Sequence, residues 1–238
     1  MRSDIFKAEN SAQQATQVGM SLQHSKCVKY AVNGEVLARQ GAMVAFRGNL
    51  AFEVKSQGMG NLLKRAVTGE GLSLMSARGQ GEVWFASYAH DCFILELEQG
   101  DALSINGRNV VCFDPTLVYD IQMVRGAGMF GGGLFNSTFT GTGRLAITCD
   151  GQPIVIPVTP QAPVFVDTDA VVGWSVGLQT SINKSQSLKS LFRGGSGELF
   201  QLALHGQGFV IVQPSEGAHV AAVQSSSGGG LLGSVLGG

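Results

Sequence analysis

A chain of 238 residues, 44% of them hydrophobic, can bury a sizeable core in one large domain or two small ones. Its 16 basic and 17 acidic residues leave a net charge of −1, so there is no positive excess for tracking phosphates, and generic nucleic-acid binding is disfavoured. Only 14% of the residues are charged, against roughly 25% in ordinary globular proteins, and 34 are glycine, a balance that suits turn-rich β structure with considerable apolar surface.

Residues 1–24 are polar, with Gln13, Gln14 and Gln17, and read as a lead-in segment with one short edge strand at most. No stretch there resembles the apolar region of a signal peptide, and no run approaches the ~18 apolar residues of a membrane span, so a cytoplasmic location is expected. The four cysteines, Cys27, Cys92, Cys112 and Cys149, lie far apart within or beside apolar runs, which predicts buried, reduced thiols. From Cys27 the chain alternates through Val28, Tyr30 and Val32 to Asn33-Gly34 and on to Val36 and Leu37, a hairpin signal. A block then follows in three versions: Gly41 to Phe46 with Phe52-Glu53-Val54, Gly100 to Ile105 with Tyr119-Asp120-Ile121, and Gln161 to Val166 with Trp174-Ser175-Val176. On a strand the aromatic and the branched residue of each triplet share the core face, while Glu53, Asp120 and Ser175 point away.

A second motif also occurs three times. Gly69-x-Gly71, Gly141-x-Gly143 and Gly195-x-Gly197 each precede a strand that ends in Gly-Gln, at Gly79, Gly151 and Gly206. These nine glycines are the candidate structural turn sites. A Gly-Gln dipeptide suits a two-residue hairpin turn with a positive φ at its first position, and Val83-Trp84-Phe85, Ile154-Val155-Ile156 and Phe209-Val210-Ile211 read as the returning strands. Short helical spacing appears at Leu62, Leu63, Ala66 and Val67, and again at Leu188, Leu191 and Phe192. The expected architecture is all-β with a few short helices. One domain spans 25–223 and is made of three repeats, at about 25–97, 98–158 and 159–223, in a pseudo-threefold arrangement in which each unit covers the edges of its siblings. Residues 224–238 are a Gly/Ser-rich flexible tail whose Leu231, Leu232, Val235 and Leu236 would line one face if it became helical.

Gly126-Ala-Gly-Met-Phe-Gly-Gly-Gly-Leu-Phe-Asn136, Phe139-Thr-Gly-Thr-Gly143, Thr68-Gly-Glu-Gly-Leu72 and Gln213-Pro-Ser-Glu-Gly217 together resemble the AIM24 family from about residue 20 to 217. The resemblance implies units like the tryptophan-RNA-binding attenuation protein, that is, short double-stranded β-helices, three in one chain. Eukaryotic members are linked to mitochondrial inner-membrane organisation, and no catalytic motif is carried over.

Motifs with a chemical look read better as architecture. Gly126-x-Gly128-x-x-Gly131, with Asp150 beyond it, matches a dinucleotide fingerprint, but glycines and a strand follow where that site needs a helix N-terminus. Gly173-Trp-Ser175-Val-Gly177 matches a nucleophile elbow, and Glu198, His205 and His219 lie downstream, yet no α/β alternation surrounds it. His90-Asp91-Cys92, with His24, His205 and His219, lacks metal-ligand spacing. Trp84 and Trp174 alternate with polar residues as core aromatics do. No catalytic residue, metal or cofactor is therefore expected. The leading reading is a non-enzymatic binding or scaffold protein, linked to membrane or complex organisation, with a protein partner or self-association and no transmembrane span. Peripheral membrane contact and a small ligand stay open. The alternative is a small-molecule or RNA binder resembling the attenuation protein, with a local basic stripe such as Lys64, Arg65 and Arg78.

Overall fold

The computed structural model describes residues 17–55, 72–123, 135–184 and 200–215, with 3, 5 and 7–12 beside them. The described chain is nearly all β. Its strands are β1 (Gly19–His24), β2 (Cys27–Arg39), β3 (Met43–Val54), β4 (Leu74–Phe85), β5 (Asp91–Leu97), β6 (Ala102–Asn106), β7 (Val110–Phe113) and β8 (Val118–Met123). The series continues with β9 (Phe135–Thr140), β10 (Gly143–Cys149), β11 (Ile154–Val158), β12 (Val164–Asp167), β13 (Val171–Ser175), β14 (Gln179–Lys184), β15 (Phe200–His205) and β16 (Gly208–Val212).

One pairing pattern occurs three times, always antiparallel. In residues 91–149, β10 lies between β5 and β7 while β9 lies between β6 and β8. In residues 154–212, β16 lies between β11 and β13 and β15 between β12 and β14. In residues 27–85 the same six strands are fused end to end into three long ones, with β4 between β2 and β3. The long strands are bent midway at Gly34, Gly48 and Gly79, which have φ of 118°, 105° and 130°. Each unit thus has two three-stranded faces, joined by corners where the chain crosses from one to the other.

Register makes the correspondence exact at the level of residues. In each unit one residue bulges out of the ladder, and it is a valine each time: Val44 between Met43 and Ala45, Val111 between Val110 and Cys112, and Val172 between Val171 and Gly173. Two residues later come Phe46, Phe113 and Trp174, opposite Val83, Leu145 and Val210. Three apolar clusters fill the interior. The first includes Val36, Val83 and Phe85, the second Phe113, Phe139 and Leu145, and the third Trp174, Leu202 and Val210.

This register corrects the sequence expectation in several places. Asn33-Gly34 and Gly79-Gln80 are not hairpin turns; they lie inside β2 and β4, where Gly34 pairs with Gly79. Counting four back from Val83, Leu145 and Val210 places Gly79, Gly141 and Gly206 at the same corner (83 − 4, 145 − 4, 210 − 4). Gly151 is not their counterpart: it lies between β10 and β11, on the link from the second unit to the third. Trp174-Ser175 likewise matches Phe46-Arg47 and Phe113-Asp114, so the counterpart of Glu53 and Asp120 is Ser181, seven residues after Trp174 (53 − 46, 120 − 113, 181 − 174). The strand ladders recur at 27–85, 91–149 and 154–212, about one strand out of phase with the expected matching of motifs.

Candidate functional site

The units are connected side by side through two short strand joints. β2 of the first unit meets β7 of the second, with Leu37 opposite Phe113 and Ala38 opposite Cys112. β6 of the second meets β13 of the third, with Ser104 opposite Trp174 and Ile105 opposite Gly173. The second joint is so close that a Cβ on Gly173 would stand 2.5 Å from the Ser104 carbonyl oxygen. Polar contacts, buried or half-buried, reinforce both. Tyr30 donates its hydroxyl to Asp114 Oδ1 at 2.7 Å while Asp114 Oδ2 accepts the Arg144 amide at 2.8 Å. Burial, with the Asp114 carboxylate beside it, raises the Tyr30 phenol well above its ordinary value, so the hydroxyl keeps its proton and remains a donor. Arg39 Nε donates to the Val110 carbonyl at 2.9 Å, and Asn109 Nδ2 reaches both the Thr148 carbonyl at 2.7 Å and Gln213 Oε1 at 3.2 Å.

These joints give the molecule a polarity. Its sheets run β3-β4-β2-β7-β10-β5, with β1 added on β2, then β11-β16-β13-β6-β9-β8, and finally β12-β15-β14 alone. Among the described strands the last sheet is half of a six-stranded one: it has the counterparts of β6-β9-β8 without those of β11-β16-β13. Among the described strands, none of the third unit pairs with one of the first. The expected cover of every edge by a sibling is therefore missing at both ends among the described strands, because a linear series of joints leaves one edge of each kind.

Side chains register the same asymmetry. Phe46 is 49% exposed where its counterparts Phe113 and Trp174 are at 0% and 4%; Val44 is 60% exposed where Val111 and Val172 are at 0%. At the other end Phe165, opposite Ala203 as Leu37 is opposite Ser76, is 52% exposed. The aromatics on these edges pack only locally: Phe46 lies edge-on to Phe52 with centroids 4.8 Å apart, and Phe165 lies edge-on to His205 at 6.1 Å. The β3 edge also carries Arg47, which pairs with Glu82 and lies 5.5 Å over the Trp84 ring. Lys29 on β2, on the far side of β4, reaches the same Glu82 at 3.6 Å.

The residues singled out for chemistry do not assemble into one site, although His24 and Asp91 both meet Lys26. Ser175 Oγ accepts the Phe209 amide at 3.1 Å, at a corner of the third unit. His24 accepts the Lys26 amide, Asp91 pairs with Lys26 at 2.8 Å, and His205 packs on Phe165. Among the described residues no three His, Cys, Asp or Glu side chains gather to hold a metal ion. All four cysteines are buried and free; burial pushes Cys92 up to about 11 and Cys149 up to about 12. Of the turn glycines, Gly79, Gly141, Gly143, Gly151 and Gly206 all have positive φ. Gly69, Gly71, Gly195 and Gly197 lie outside the described residues, as do the two helical stretches, Gly126 to Gly131, Lys64, Arg65, His219 and the tail. Sequence reading missed the exposed β3 and β12 edges. Their signal was present in the spacing from Leu37 to Phe46, Ser104 to Phe113 and Phe165 to Trp174, nine residues each, once the phase is known.

A family model described as "Mitochondrial biogenesis AIM24" matches residues 20–215. No curated protein shows a significant match. Among solved structures, the crystal structure of a Streptococcus pyogenes protein is similar at a TM-score of 0.63 and 23% identity, covering 83% of this chain and 92% of that one, a likeness of fold.

Proposed function

The chain belongs to the AIM24 family, and from that premise we propose that it is a non-enzymatic binding or scaffold protein that engages a protein partner by strand addition. The observation that carries this reading is the open β3 edge, where Val44 and Phe46 lie exposed although the same positions are buried in the two other units. An exposed edge strand is a template for another chain, since main-chain groups supply affinity and alternating side chains supply selectivity. The likeness of each unit to the attenuation protein, the cytoplasmic setting and a role in organising complexes are parts of the same proposal. The sixfold strand pattern supports the first. Among the described residues no helix is long and apolar enough to cross a membrane.

Two measurements test the proposal. Purified chain exposed to a serine-directed covalent probe should stay unlabelled, and labelling abolished by Ser175→Ala would replace the reading with a hydrolase. Crosslinking in its native extract should capture a protein contact that Phe46→Asp removes while the melting temperature holds; capture unchanged by the substitution would remove the β3 edge from the function.

A further inference from the structure

We infer that the partner of the β3 edge is the β12 edge of a second copy of this chain, so that copies associate head to tail by the same joint the chain already makes twice within itself. This rests on the reading of β3 as a protein-binding edge and names the occupant.

Register fixes the pairing. In the first internal joint Leu37 stands opposite Phe113, and in the second Ser104 stands opposite Trp174. The residue equivalent to Leu37 and Ser104 in the third unit is Phe165, and the residue equivalent to Phe113 and Trp174 in the first is Phe46. Repeating the operation once more puts Phe165 of one copy opposite Phe46 of the next and Val166 opposite Ala45. Both phenylalanines are half exposed in the single chain, and the joint would bury both. Aromatic pairs directly opposite each other on antiparallel strands are favourable contacts. The bulged Val44 would be covered as Val111 and Val172 already are. β12-β15-β14 would gain the three strands that complete a six-stranded sheet of the kind seen in β11-β16-β13-β6-β9-β8.

The third joint would differ in its polar contacts. Asp114, which accepts the Tyr30 hydroxyl at the first joint, has Arg47 as its counterpart, as it has Ser175 in the second. Arg39, which donates to the Val110 carbonyl in the first joint, has Asp167 as its counterpart, and Asp167 instead accepts the Asp169 amide at 2.8 Å. The second joint has Asn106 at this position, accepting the Arg108 amide at 3.2 Å in the same way, so the joint forms without that guanidinium. Because the two edges are different surfaces, the contact is heterologous and leaves a free edge at each end of any open series; the series either closes into a ring or continues.

The experiment is sedimentation velocity on the full chain across a concentration series, with Phe46→Asp, Phe165→Asp and an equimolar mixture of the two. Wild type should assemble with rising concentration. Each variant alone should stay monomeric, because one of its two edges is blocked, and the mixture should stop at a dimer joined through the one intact edge of each. Phe165→Asp that assembles like wild type overturns the inference, since the edges would not be partners. A monomeric wild type also overturns it; if Phe46→Asp still abolishes capture of a different protein, the binding reading of β3 stands without it. Assembly indifferent to both substitutions removes both readings. Unchanged circular dichroism and melting temperature of the variants exclude misfolding as the cause of a monomer.

Discussion

Gly79 shows what one residue contributes where two strands cross a corner together. It has φ +130°, and a Cβ built on it would lie 2.2 Å from the Asn49 carbonyl oxygen on β3. A side chain therefore meets backbone strain, worth roughly 1 to 3 kcal/mol, and a backbone clash of similar size. Its partner Gly34 has φ +118° with nothing within 4 Å, so only the strain applies there. Gly79→Ala should destabilise by about 3 kcal/mol or more and Gly34→Ala by about 1 to 3 kcal/mol, a ranking that urea denaturation measures. Equal loss at both positions would mean that the close approach to β3 is not a constraint.

The aromatic two residues past the bulge is one structural position in three environments, and element packing alone sets its energetic weight. Phe113 is covered by Leu37 across the first joint and by the Phe139 ring 5.1 Å away, whereas Phe46 has Phe52 beside it and solvent beyond. Truncating a buried phenylalanine costs about 3 to 5 kcal/mol, while an exposed substitution usually falls within about 0.5. Phe113→Ala should therefore lower stability by about 3 kcal/mol or more, and Phe46→Ala, which loses one aromatic contact, by no more than about 1 kcal/mol. Thermal melting of the two variants compares them directly. The bulge before each aromatic is a feature of the element: in β7 and β13 the residues after the extra valine meet the neighbouring unit, while in β3 they lie exposed.

Over the whole molecule, the four thiols are the clearest link between burial and pH. Cys92, Cys112 and Cys149 are pushed above the ordinary thiol value of 9.0, chiefly by removal from water, Cys92 to about 11 and Cys149 to about 12. A thiol that holds its proton more tightly when folded contributes stability fully below the unfolded value, and loses it as pH rises through the folded one. Stability should therefore fall from about pH 9 upward, and Cys92→Ala should make that decline shallower. A thiol reagent at pH 8 should leave the native chain unmodified and label all four cysteines after denaturation; fast native labelling would contradict their burial.

All-β character and the buried cysteines were legible in the sequence, because alternation, glycine punctuation and apolar runs are local signals that any strand pairing must respect. The phase in which the strand ladders recur along the chain was not. Gly-Gln at 79, 151 and 206 looks alike in the chain, yet Gly141 and not Gly151 shares the corner with the others, since equivalence is defined by which residue lies across the ladder. Exposure of Val44, Phe46 and Phe165 was equally beyond local reading. Val44 and Val111, or Phe46 and Phe113, are the same residue types at the same positions in their units. Only the presence or absence of a neighbouring strand, a long-range fact, decides which of them is core and which is an edge open to a partner.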